Sequence, residues 1–346
     1  MKRTKLTASL CAVVLFMAVG ITQAADLDRA ALIKLADDYF AALIAHTPNK
    51  VPLDGNVKMV ENAKRIKPGE GLWKTAAAAQ TEFKINISDR EASSMKGAVA
   101  PIDGPAEFKI VIPDPVAQQV GGMLMIQSDG KPTQVGFRLK VVNGKIVEAE
   151  HMLAEPTGAS LDNLKKVRAA ISMEIPYEYR DSRGRLIHIA KSYYDALDLN
   201  NGSLAPFAPD CERRENGMRT APFGGPTLGG AGIPGMPEPP PSLVGMQDCK
   251  GQLDSQTFAY IDTIDNRRVE VADEVTGLAM GFSHFHHDMK EKEYPVLNDP
   301  QRTTTSMQFD PFDLPALHIY KIWGGQIHEI EAMGFMAPYN APTGWE

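Results

Sequence analysis

The sharpest constellation of chemistry-bearing side chains in this 346-residue sequence is His284-Phe285-His286-His287-Asp288. An imidazole in an apolar setting titrates near neutrality, so such a run suits general acid/base chemistry. Side chains alternate across a strand, which puts His284 and His286 on one face with Met280 and Phe282. That face is otherwise apolar, and an inward orientation toward a pocket is expected for it. His-x-His spacing also offers two metal ligands on one face, with Asp288 as a third. No further His/Asp/Glu cluster supplies a convincing partner, so neither a metal nor a cofactor is expected. The competing reading is a strand end with solvated histidines.

Further candidates lie upstream. Tyr193 and Tyr194 fall beside the apolar stripe of a helical stretch, Leu186, Ile189, Ala190, Tyr193 and Leu197. A pocket-facing hydroxyl there donates to an oxyanion; the alternative is ordinary aromatic core packing. Asp210, after Pro209, either caps a turn or assists a base at a pocket rim. Arg213, Arg214 and Glu215 read as a site for an acidic substrate or as a solvated charged edge. Arg213 therefore joins Tyr193, Phe282 and His328 as a substrate-binding candidate, while His188 lies off the stripe and reads as solvated. There is no phosphate loop of Walker or dinucleotide type and no G-x-S-x-G elbow, which disfavours nucleotide enzymes and serine hydrolases.

The elements that must position these residues occur twice. Leu32–Ala63 aligns with Leu186–Gly217 at a constant offset of 154, which pairs Tyr39 with Tyr193, Leu43 with Leu197, Pro52 with Pro206, and Glu61-Asn62 with Glu215-Asn216. A closing hairpin repeats at an offset of 181, Gly144–Glu150 against Gly325–Glu331. The offset grows by about the length of the Gly/Pro-rich segment 221–247, present in one copy only. Duplication of one domain is the expectation. Residues matched in both copies read as structural, among them Glu329 and Glu331, matched by Glu148 and Glu150. Tyr194 and His328 are matched by Phe40 and Val147, and the strand matching the histidine run, Val120–Ile126, has no ionisable group. The second unit should therefore carry the site, and the first a degenerate, plain core.

Each unit reads as a helix followed by strands. In the first, Leu32–Leu43 is helical, Glu82–Ile87, Glu107–Ile112 and Val120–Ile126 are strands, and Asn143-Gly144 turns a hairpin of Phe137–Val142 with Lys145–Glu150. A connecting helix over Leu161–Ile171 and a linker at Pro176–Arg180 follow. In the second, strands are expected at Thr257–Ile264, Arg268–Ala272 and Leu278–His286, then a hairpin of Leu317–Ile322 with Gln326–Glu331. Lys2, Arg3 and Lys5, an apolar Leu10–Ile21 and Thr22-Gln23-Ala24 read as a signal peptide, so the protein is expected to be periplasmic or secreted. The boundaries are then 1–24 signal peptide, 25–160 first unit, 161–180 linker and 181–346 second unit. Cys211 and Cys249, an even pair in an oxidising compartment, are expected to form a disulfide. A net charge of −7 without a Lys/Arg block makes nucleic acid and anionic membrane unexpected partners.

The turn Leu204–Cys211, the closing hairpin Lys321–Glu331 and the long helix before them resemble the SnoaL-like branch of the nuclear-transport-factor-2-like superfamily. More narrowly, NNGSLAPFAPDCERRENG and CKGQLDSQTFAYIDTI in the second half resemble an uncharacterised family of secreted fungal and bacterial proteins with this fold. The resemblance implies an α+β fold: two tandem cone-shaped domains, each a long N-terminal helix on a curved antiparallel sheet around an apolar pocket. They would pack as a pseudo-dimer within a monomer, or as a homo-oligomer. Relatives include ketosteroid isomerases, polyketide cyclases, scytalone dehydratases, epoxide hydrolases and catalytically silent binding domains, and fold alone does not choose among these. The expectation is a cofactor-independent lyase or isomerase acting on a small apolar or aromatic molecule in the second cone. His284 or His286 would move the proton, Asp210 would assist and Tyr194 would polarise an oxygen. The alternative is a non-catalytic periplasmic protein that binds small molecules or serves as a scaffold.

Overall fold

A computed structural model describes residues 25–78, 108–221, 248–299 and 303–346. The expected signal peptide, the strand Glu82–Ile87 and nearly all of the Gly/Pro-rich segment lie outside the described residues.

The chain opens with helix α1 (Arg29–Ile44), capped by the Asp28 carboxylate, which accepts from Ala31 N at 2.8 Å. Its stripe of Leu32, Leu35, Ala36, Tyr39, Phe40 and Leu43 is buried. Strands β1 (Leu53–Glu61) and β2 (Lys64–Ile66), a helical turn α2 (Leu72–Thr75) and the short β3 (Ala76–Ala77) follow. Then come β4 (Lys109–Asp114), β5 (Gln119–Ser128), β6 (Lys131–Val142) and β7 (Lys145–Ala154). The β6–β7 hairpin turns at Asn143-Gly144, both with positive φ (51° and 74°), as a tight two-residue turn requires. These seven strands form one sheet in the order β2-β1-β7-β6-β5-β3, with β4 also on β5.

Two short helices, α3 (Ala159–Asn163) and α4 (Ala169–Ser172), stand where one connecting helix was expected. Long-range pairing overrides the local propensity. Between them Arg168 leaves the helical path to hold Glu329 and, at 3.0 Å, Glu331. Val167 turns into the core at the same place.

The second half repeats the plan. Helix α5 (Arg183–Asp198) starts at Ser182, whose Oγ accepts from Arg185 N at 3.4 Å. β8 (Phe207–Glu215), β9 (Met218–Ala221), α6 (Cys249–Asp254), β10 (Thr263–Asp273) and β11 (Leu278–His287) follow. After the small hairpin β12 (Glu293–Pro295) and β13 (Thr304–Ser306) come β14 (Phe312–Trp323), β15 (Gln326–Gly334) and β16 (Ala337–Pro338). The sheet order β10-β11-β14-β15-β8-β9 mirrors that of the first half. The expected strand Thr257–Ile264 is corrected. Residues 257–260 form turns, set by the positive φ of Gln256 and the 2.7 Å Ser255–Thr257 hydroxyl hydrogen bond, and β10 begins only at Thr263.

The matched pairs Glu61-Asn62 and Glu215-Asn216 prove structural at the asparagine. Each Asn takes positive φ (45°), and its amide clasps the end of the neighbouring strand. Asn62 Oδ1 accepts from Leu153 N at 2.7 Å, and Asn216 Oδ1 from Gly334 N at 3.0 Å. Register shifts in the parallel pairs β1/β7 and β8/β15 bend each sheet about its helix.

The sheet faces turned away from the helices pack against each other. Ile110, Ile112, Met123 and Met152 of the first meet Met280, Phe282, Leu317, Ile319 and Met333 of the second. The approach is close because the first sheet offers glycines. A Cβ on Gly121 would lie 2.2 Å from Met280 Cε, and one on Gly136 would lie 2.8 Å from both Leu317 and Met333. At the rims the halves exchange ion pairs: Arg29 at the start of α1 holds Asp273 (2.8 Å), and Arg183 at the start of α5 holds Asp114 (2.8 Å). Cys211 and Cys249 form the expected disulfide, buried between β8 and α6.

Two outcomes test this architecture. Asp114 is fully buried, so Arg183→Met strands a carboxylate and is expected to cost roughly 3 kcal/mol in urea unfolding, with Asp114→Asn recovering part of it. Cys211→Ala/Cys249→Ala opens a loop of sequence separation 38 and is expected to lower stability by about 4 kcal/mol, read from the same transition.

Candidate functional site

A cavity of about 120 Å³ lies in the second half between α5 and its sheet. Most of its wall is apolar: Leu197, Met218, Ile261, Phe285, Met307, Phe309, Phe312 and Leu314, with Ala316 and Ala332 at positions where larger side chains would fill it. Several polar groups converge on it, Glu215, Asn216, Thr220, Thr257 and Tyr260 among them. Tyr193 comes from α5, Arg213 from β8, His287 from the end of β11 and His318 from β14.

Arg213 is the costliest of these to place there. Its guanidinium, 2 % exposed, is satisfied by Thr220 Oγ1 (2.9 Å), the Tyr193 hydroxyl (3.3 Å) and Glu215 (3.1 Å). It also lies 4.7 Å over the Phe258 ring, an arrangement that suits a planar cation. The charge is thus compensated from one side while its neighbourhood opens on the cavity.

His287 stacks on Phe312 (centroids 4.1 Å apart) and on Tyr260 (5.6 Å), and its Nδ1 has no hydrogen-bond partner among the described residues. Burial drives its pKa down to about 3. Burial, then the charge of Arg213, takes His318 to about 3 as well. Its Nδ1 meets the Tyr194 hydroxyl at 3.3 Å, and its ring stacks on Tyr320. Burial also raises the Tyr193 and Tyr194 phenols, the latter to about 12. Both imidazoles are therefore neutral, and both phenols protonated, at any ordinary pH.

The structure divides the sequence-derived candidates between two faces. Tyr193 and Arg213 line the cavity, and Tyr194 lies directly behind His318. His284, His286 and Phe282 do not line it, which corrects the inward orientation expected for them. Their side of β11 faces the other half and carries Met280 into the core between the sheets, while Phe285 and His287 point toward α5. Asp210 and His328 are likewise outside. They pair with each other at 2.7 Å across β8/β15, with His328 stacked on Trp323 and the Asp210 side chain 68 % exposed. Asp288, the third metal candidate, is instead tied to Lys290 (2.7 Å).

Sequence reasoning missed His318, Tyr260 and the buried state of Arg213. The repeat held a signal for the first: the hairpin offset of 181 matches His318 to Phe137. The first half is also less plain than expected. Tyr39 OH meets His151 Nε2 at 2.9 Å, and His151 Nδ1 meets Glu61 at 3.3 Å, a buried polar chain inside an aromatic packing of Phe40, Trp73 and Phe137.

Fold and site together define an α+β protein of two sheet-bearing halves, the second holding a largely apolar cavity with a buried cation at its wall. The family described as Domain of unknown function (DUF8021) matches residues 25–153 and 179–334, and the chain belongs to that family. No curated protein matches the chain. No helix among the described residues is long and apolar enough to cross a membrane.

The neutral histidines fix a pH dependence. In the unfolded chain each protonates below about 6.5, whereas in the fold each resists protonation down to about 3. Their stabilising contribution is complete above pH 6.5 and is lost on acidification across that window, at up to roughly 1.4 kcal/mol per pH unit per histidine. His318→Phe, which installs the residue found at the matched first-half position, should lose less stability between pH 7 and pH 5 than wild type, measured by urea unfolding at both values. An unchanged difference would refute the assignment.

Proposed function

We propose that the second half binds a small, largely apolar molecule about the size of a single ring. The volume supports that scale: about 120 Å³ is near the ~150 Å³ of a cavity that accepts benzene, and below the ~300 Å³ at which drug-sized pockets begin. The lining supports an aromatic or cyclic aliphatic body, and the polar wall a single oxygen function, such as a phenol or ketone. The observation that carries the reading is a mostly apolar cavity whose wall holds the buried Arg213 guanidinium and the neutral His287 and His318 rings.

Binding without turnover is the reading this wall favours. Acid/base catalysis of a lyase or isomerase kind asks for a group poised near neutrality. His287 and His318 are held well below that range, and Tyr194 well above it. His284 and His286, the expected proton carriers, belong to the other face. We place this site in the second of two duplicated cone domains of the nuclear-transport-factor-2-like kind, in a secreted protein. The shared strand order, the exchanged ion pairs, the two family-matched segments and the disulfide support that placement.

The test is a thermal-shift and product-analysis screen of phenols, cyclic ketones and monoterpenoids. A compound that raises the melting temperature of wild type, is recovered unchanged, and loses its effect in Ala316→Leu and Ala332→Leu supports the reading. Conversion of the compound by wild type would replace binding with catalysis. A shift that survives both filling substitutions would move the ligand out of the cavity.

A further inference from the structure

Apart from that cavity, the strongest unassigned constellation lies where β10, β11 and β14 run side by side at the rim between the halves. We infer that Asp265, His284 and His286 form a binding site for a divalent transition-metal ion of the zinc class, with Asp313 orienting the histidines. Asp265 lies directly opposite His284 across β10/β11, and His286 directly opposite Asp313 across β11/β14. One ligand atom from each of Asp265, His284 and His286 falls within 4.8 Å of the others. Three adjacent strands thus present the set at one level of a hydrogen-bonded sheet, which keeps the movement needed for coordination small. His286 Nε2 and Asp265 Oδ1 are already only 3.1 Å apart.

The second observation is His284 itself. It is 3 % exposed, and its Nε2 is buried without a hydrogen-bond partner among the described residues, 3.5 Å from Asp313 Oδ2. Its ring stacks on that of His286 at 5.0 Å, so both imidazoles lie on one side of the sheet. Asp313 is fully buried and fixed by Ala341 N, which donates to Oδ2 at 2.8 Å. Its Oδ1 accepts a hydrogen bond from His286 Nδ1 at 2.8 Å, leaving His286 Nε2 directed at Asp265. A carboxylate behind a ligating imidazole fixes its tautomer and raises its basicity, as in metal sites generally. Two nitrogens and one carboxylate oxygen suit zinc, cobalt or nickel, whereas magnesium and calcium ask for an all-oxygen shell. The cleft between the halves, lined by His284 together with His151, Asn266 and Thr343, is where a fourth ligand would enter. It is open to water or to an oxygen ligand.

The experiment titrates EDTA-stripped mature protein with Co²⁺, read by visible absorption and calorimetry, and then displaces the cobalt with Zn²⁺. The expected result is one Co²⁺ per chain with the intense bands of four- or five-coordination and full displacement by zinc. Asp265→Ala, at a half-exposed position where the fold tolerates it, and His286→Gln should each weaken binding at least 100-fold. Asp313→Asn is expected to weaken it 10- to 100-fold. His328→Ala and His188→Ala should leave it unchanged. Absence of binding to wild type at micromolar metal, weak six-coordinate bands only, or binding that survives Asp265→Ala and His286→Gln would overturn the site.

Discussion

Each sheet of this protein is covered on both faces, and most other features follow from that constraint. One face takes the long helix of its own half, the other takes the opposite sheet. A strand buried on both faces has no solvent side to mark with polar residues, so most of β5 and the Leu278–Phe282 part of β11 read as apolar runs, unlike the alternating strands of a half-exposed antiparallel sheet. The same constraint demands small residues where the sheets meet, hence Gly121 and Gly136 under Met280 and Leu317. It also demands charge compensation at the rim of a dry interface. Arg29, Arg183 and Arg268 supply it by reaching into the other half, Arg268 to Glu150 at 2.6 Å, with Trp345 of the C-terminal segment held among Arg65, Arg138 and Arg268.

Within that common frame the two interiors diverge by a few side chains. Phe137 of the first half packs on Phe40. Its match in the second half is His318, which faces Tyr194 instead. Met59 is matched by Arg213, and the cation draws Tyr193, Thr220 and Glu215 around it. Tyr39, by contrast, spends its hydroxyl on His151 and Glu61, a closed chain in a core filled by Trp73. Among the described residues of the first interior, Tyr39, Phe40, Trp73 and Phe137 pack ring against ring. Smaller and polar replacements, with Ala316 and Ala332 in the wall, leave the second with a cavity.

How much of this was legible in the sequence depends on what decides each feature. Helices, hairpins and the clasping asparagines are local, set by caps, turn residues and periodicity, and they were readable along with the disulfide. The orientation of the histidine run was not. Alternation says that His284 and His286 share a face; it says nothing of which face looks at the helix when both are apolar. His284 and His286 turn toward the other half, and His287, on the opposite face with Phe285, lines the cavity. Arg213 was unreadable for a related reason, since a charged triplet in a strand looks solvated until Thr220 and Tyr193 arrive from elsewhere in the chain. The split of the connecting helix at Arg168 was equally non-local, because Glu329 and Glu331 lie more than a hundred residues away.

The exchanged arginine–aspartate pairs have a consequence for how such a molecule can vary. When two identical chains associate through a two-fold axis, every substitution is made twice, and a change that improves one pocket is imposed on its twin. Here the two surfaces that grip each other belong to one polypeptide, so His318 can replace a phenylalanine on one side alone. Arg29–Asp273 and Arg183–Asp114 keep the partners in register while their interiors go separate ways. Two halves of one chain support each other here without any obligation to be symmetric.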